Sequence, residues 1–93
     1  MERQRFKNVW DALEASPEGA DRMTMQSNLL IAIEQEVRAW KLTQAAAAKR
    51  LGISQPRLND LLQGKIAKFS LDALVGLAGQ AGLTVRLDIA KAA

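Results

Sequence analysis

The sequence predicts a mainly α-helical domain of four to five helices closed by a short C-terminal β-strand. Three observations carry that expectation. Apolar residues recur at spacings of three and four from Met23 to Trp40 and again from Leu71 to Ala78, the period of a helix with one buried face. Helix start signals at Ser16, Thr43, Ser54 and Ser70 alternate with glycine stop signals at Gly52, Gly64 and Gly82. Only Leu83-Thr84-Val85-Arg86-Leu87-Asp88-Ile89 alternates apolar with polar, as a half-buried strand does.

The elements follow in chain order. Residues 1–15 form an N-terminal segment, with Arg3, Arg5 and Lys7 as a basic arm and Phe6, Val9, Trp10 and Leu13 on the apolar face of a short helix. Ser16-Pro17-Glu18 combines an N-cap, a proline at the first helical position and an acid in the first turn. Gly19 weakens that turn, which moves the expected start of the long helix toward Asp21. Met23, Leu29, Leu30, Ile33, Val37 and Trp40 share one arc of it, and it ends near Trp40.

Thr43 caps a second helix, Gln44 to about Leu51, built on four alanines that let another helix approach closely. Gly52 ends it. Ser54 caps a third helix, Gln55 to about Gln63, with Ile53 and Leu58 spaced as a hydrophobic staple. Pro56 falls in its first turn, where backbone N–H groups have no intrahelical partner and a missing one costs nothing. Ser70 caps a fourth helix running to about Gln80, with Phe69 and Leu74 as a second staple. Residues 16–82 are thus one helical domain, and 83–93 carry the strand.

Composition excludes several classes of function. Ninety-three residues, 48% of them apolar, make one small domain with a single core. No run approaches the length of a membrane span, and no signal-peptide pattern opens the chain. Zero Cys and zero His remove thiolate and imidazole metal ligands together with two of the usual nucleophiles and acid–base groups. The expectation is a cytoplasmic protein that is not an enzyme and has no cofactor, metal or evident small-molecule ligand.

Charge is modest in total, +3, but unevenly placed. Residues 41–68 hold six cations (Lys41, Lys49, Arg50, Arg57, Lys65, Lys68) against the one acid Asp60, a net of +5, while the rest of the chain nets −2. A basic region on a slightly acidic domain is an electrostatic footprint for a polyanion, although on charge alone a solvated face is the leading reading.

Two short helices joined by Gly52-Ile53-Ser54 make a helix-turn-helix, whose second helix enters the DNA major groove N-terminus first. Residues 43–65 resemble the Cro/repressor (xenobiotic-response-element type) helix-turn-helix family. The resemblance rests on Gln44 opening the first motif helix, Ala48 at the helix crossing, Gly52 at the turn, Leu51, Ile53, Leu58 and Leu61 locking the pair, and Gly64-Lys65 closing it. Ala47 departs from the pattern, which usually has a larger aliphatic, so Trp40 or Phe69 is expected to fill the space. Beyond the motif, Asn8–Leu13, Ser16-Pro17-Glu18 and Lys65–Leu74 are similar to HigA-type antitoxins and related regulators. That resemblance implies a lambda-repressor-like bundle that binds an inverted-repeat operator on double-stranded DNA as a homodimer, often repressing its own operon, sometimes with a toxin partner.

Chemistry and the family pattern together assign roles. Gln55 suits paired hydrogen bonds to adenine, Arg57 a fork onto guanine, and Pro56 an apolar edge for a thymine methyl. Asn59 and Asp60 lie one turn on, with Asp60 able to accept from cytosine or orient Arg57. Gln44 and Ser54 at helix N-termini, and Lys65 and Lys68 after the recognition helix, are expected at phosphates, with Lys49 and Arg50 at the rim.

The strand bears on assembly. A lone strand leaves backbone groups unpaired, and the same strand from a second copy, joined through Leu83, Val85, Leu87 and Ile89, is the expected partner. The competing partner is the segment around Phe6–Trp10 of the same chain. A different class of function also stays open: a protein-binding module whose segment from Phe6 to Leu13 docks on a toxin or other partner, with the motif only as scaffold.

Overall fold

The computed structural model describes residues 3–6 and 20–91. Its elements are strand β1 (Arg3–Phe6), helices α1 (Ala20–Ala39), α2 (Gln44–Leu51), α3 (Gln55–Leu62) and α4 (Leu71–Gln80), and strand β2 (Leu87–Ala90). A 3-10 turn at Ile66–Lys68 joins α3 to α4. The fold is a small, mostly helical helix-turn-helix bundle, as the spacing of apolar residues predicts.

The long helix starts at Ala20, past Gly19, and Ser16-Pro17-Glu18 lies outside the described residues. It ends where Lys41 adopts φ 55°, the single non-glycine residue with positive φ among those described. Leu30, Ile33 and Val37 of α1 are buried, whereas Met23, on the same arc, is 55% exposed. The packed face therefore begins at Leu29 and Leu30, nearly two turns later than the periodicity alone predicts.

The next three helices share one grammar. Thr43, Ser54 and Ser70 each sit in extended backbone and accept the N–H of the residue three positions on, from Ala46, Arg57 and Ala73 at 3.1–3.3 Å. Each helix then ends on a left-handed glycine: Gly52, Gly64 and Gly82, with φ of 74°, 73° and 82°. In each, the glycine N–H and the next N–H close back onto the last turn, as in Ile53 N–H to Ala48 O at 3.0 Å and Lys65 N–H to Asp60 O at 3.0 Å. This paired closure satisfies carbonyls that the helix end would otherwise leave open.

The core lies between α1 and α4 and is closed below by the α2–α3 pair. Ile33, Leu58, Leu61, Leu74 and Ala78 are fully buried, and Ala47, Ala48, Leu51 and Phe69 nearly so. Gln26 of α1 donates to the Phe69 carbonyl at 3.0 Å, which fixes the chain between the 3-10 turn and α4.

The C-terminal run departs from its expected form. Strand geometry begins at Leu87 rather than Leu83, because Leu83 and Val85 turn their side chains onto the helical core. β2 pairs antiparallel with β1 of the same chain, Arg3 opposite Ala90 and Phe6 opposite Leu87. The pairing partner is thus the stretch proposed as a basic arm, whose backbone supplies the ladder that β2 needs. Residues 7–13, proposed as a short apolar helix and as a docking segment, lie outside the described residues.

Candidate nucleic-acid interface

The interface is assembled on the N-terminal end of α3. Ser54 Oγ accepts the Arg57 N–H at 3.3 Å, Pro56 occupies the first turn, and Leu58 N–H closes on the Ser54 carbonyl at 3.0 Å. Behind this start, Leu58 and Leu61 are 0% exposed against Ala47, Ala48 and Leu51 of α2. Two alanines at that crossing bring the helices close, so α3 is braced from behind and its opposite face is left to solvent.

That face carries Gln55, Pro56 and Asn59, all exposed. Arg57 and Asp60 are half-buried and are held by the segment that follows α3. The Arg57 guanidinium stacks over Phe69, 4.4 Å from the ring centroid, and donates from Nη1 to the Lys68 carbonyl at 3.3 Å. Asp60 pairs through Oδ1 with Lys65 Nζ at 3.4 Å and through Oδ2 with Lys68 Nζ at 3.5 Å. Asp60 therefore does not orient Arg57, because two lysines nearer the carboxylate occupy both its oxygens.

The remaining predicted contacts divide. Ser54, Lys65 and Lys68 lie with α3 and are exposed, and Gln44 and Lys49 are exposed on α2. Arg50 turns away to cover Trp40, its guanidinium 4.1 Å from the ring centroid. Trp40 Nε1 beneath is buried without a hydrogen-bond partner. Of the proposed dimer residues, Leu83 and Val85 are packed on their own core, and Leu87 and Ile89 are half-buried in β2.

Space beside Ala47 stays open. A groove of about 280 Å3 runs there, lined by Val37, Arg38, Leu42, Gln44, Ala47, Leu58 and Leu62. Phe69 belongs to the same buried cluster as Ala47 and Trp40 packs against it, but neither lines this groove.

Arg38 is the cation that counting residues 41–68 overlooks. It donates from Nη2 to the Leu62 carbonyl at 3.5 Å, tying α1 to the end of α3, and shares the groove with Gln44. Its place in the last turn of α1, one turn before the motif, is the signal that identifies it. No group of His, Cys, Asp or Glu able to hold a metal occurs among the described residues, and no helix there is long and apolar enough to cross a membrane.

A family model described as a helix-turn-helix domain matches residues 12–90. No curated protein matches the chain.

Proposed function

Because the chain belongs to the helix-turn-helix domain family and is in general terms a DNA-binding regulator, we propose that it acts as a homodimeric repressor on an inverted-repeat operator. The observation that carries this is the capped, exposed N-terminal face of α3, with Gln55, Pro56 and Asn59 uncovered and cations on both flanks. α3 enters the major groove, where Gln55 pairs with adenine, Pro56 meets a thymine methyl and Asn59 reaches the next base. Arg57 reads guanine after leaving the Phe69 ring and the Lys68 carbonyl, and release of this half-buried cation–π contact costs on the order of 1–2 kcal/mol. Gln44, Ser54, Lys49, Lys65 and Lys68 hold phosphates, with Arg38 beside Gln44 adding to them and Arg50 at the rim.

The dimer in this reading uses the second edge of β2. One edge is taken by β1, and no strand pairs with the other among the described residues. Leu87 and Ile89 supply its side-chain contacts, and a two-fold axis there sets two recognition helices about 34 Å apart. A gel shift on the DNA upstream of the protein's own coding sequence tests the reading. Arg57→Ala is expected to lose sequence preference, and Lys49→Ala, at a phosphate contact outside the Asp60 ion pairs, to weaken binding to all sequences about equally. A wild-type chain that shifts no duplex at low salt overturns it.

An antitoxin-like role is a second reading, favoured by one observation. A largely apolar groove of about 350 Å3 lies between α1, α4 and the run into β2, lined by Met25, Leu29, Leu71, Leu83, Val85 and Leu87 among others. An apolar segment of a toxin suits it. Salt separates the two activities, since phosphate-driven binding weakens by roughly one logarithmic unit per contact per decade of salt and apolar docking does not.

A further inference from the structure

α3 grips the chain that follows it through one carboxylate. Asp60 is the single acid in residues 41–68, set among six cations. Its side chain is 22% exposed, and its two oxygens are divided between Lys65 and Lys68 at 3.4 and 3.5 Å. The Lys65 N–H also closes on the Asp60 carbonyl, so backbone and side chain together bring Lys65 back toward α3. Lys68, at the other end of the 3-10 turn, is joined to the helix twice: through its ammonium to Asp60 and through its carbonyl to Arg57.

A carboxylate in a phosphate-binding surface weakens that surface by repulsion, and exposed ion pairs add little stability. What Asp60 changes is the behaviour of the two lysines. A lysine ammonium on a free four-carbon stem finds a phosphate on any duplex in many poses. Held against α3, the same ammonium meets phosphate only at a fixed height relative to the helix N-terminus.

Resting on the DNA-binding reading above, we infer that Asp60 is a positioning residue of the interface, which holds Lys65 and Lys68 for phosphates beside a seated α3 and suppresses their binding to duplex of any sequence. Asp60 contributes discrimination without reading a base. It lowers affinity for random DNA more than affinity for the operator, and the ratio between the two is the quantity that matters in a cell.

The test compares Asp60→Asn and Asp60→Glu with wild type on two duplexes of equal length, the upstream DNA and a scrambled version. Anisotropy titrations are combined with a single-base-pair scan, and circular dichroism confirms the fold. Asp60→Asn is expected to raise affinity for the scrambled duplex several-fold and to lower the upstream-to-scrambled ratio, with the loss spread over all base pairs. Asp60→Glu keeps the ratio near wild type. Without DNA, NMR relaxation of the Lys65 and Lys68 ammonium groups is expected to show lost order in Asp60→Asn. A loss confined to one base pair makes Asp60 a base reader and overturns the inference. So does an unchanged affinity for the scrambled duplex, or unchanged ammonium order. A wild-type chain that binds neither duplex sinks the DNA-binding reading instead, and is seen before any variant is made.

Discussion

Leu58 shows how one residue serves both the fold and the candidate interface. It is 0% exposed, pinned between the alanines of α2 and the core, and sits one residue after Arg57 on α3. Leu58→Ala is expected to cost about 2–5 kcal/mol by urea denaturation, because the helix crossing closes only partly around the missing atoms. The two arginines beside the motif teach a different lesson. Arg50 and Arg57 are identified as candidate DNA contacts by position in the helix-turn-helix, yet each rests on an aromatic ring in the free chain. Helical spacing fixes where a side chain starts. It does not say what a long, flexible one lies on, and neither Trp40 nor Phe69 is adjacent to its arginine in sequence. Asp60 is hidden for the same reason: its lysine partners are set by the turn at Gly64 and the 3-10 turn after it, which no apolar pattern announces.

At the scale of elements, α2, α3 and α4 were legible almost to the residue, because each is bounded by a cap and a glycine whose chemistry is local. Those boundaries also carry predictions. Ser54→Ala removes the oxygen that accepts the Arg57 N–H and is expected to cost about 1 kcal/mol of stability. Gly52→Ala is expected to cost about 1–2 kcal/mol, from forcing a side-chain residue into left-handed backbone. Its new Cβ meets only Gln80 Nε2 at an ordinary 3.7 Å, so the penalty is conformational rather than steric. Both are measured by thermal or urea melts. The strand was less legible. Alternation runs unbroken from Leu83 to Ile89, but the first two apolar residues serve the helical core and only Leu87–Ala90 joins a ladder. Alternation marks extended backbone, and the same pattern fits a run lying across a bundle.

For the whole molecule, the pairing of β1 with β2 brings Arg3 opposite Ala90, far apart in the chain. No local signal in Arg3-Gln4-Arg5-Phe6 specifies that partner. The proposed dimer makes its own demand at this scale. Ile89→Lys on β2 is expected to shift sedimentation at micromolar concentration toward monomer, since an edge lysine resists strand addition. Operator affinity falls with it by roughly 10²-fold, as two half-site contacts lose their linkage. A wild-type chain already monomeric at that concentration removes the dimer. The glycine corners have a wider consequence. Since backbone hydrogen bonds set the direction of every turn around α3, Gln55, Pro56 and Asn59 have little part in holding the scaffold. On the proposed reading of α3, descendants of this chain are free to rewrite those letters and acquire a new genomic address while inheriting the architecture intact.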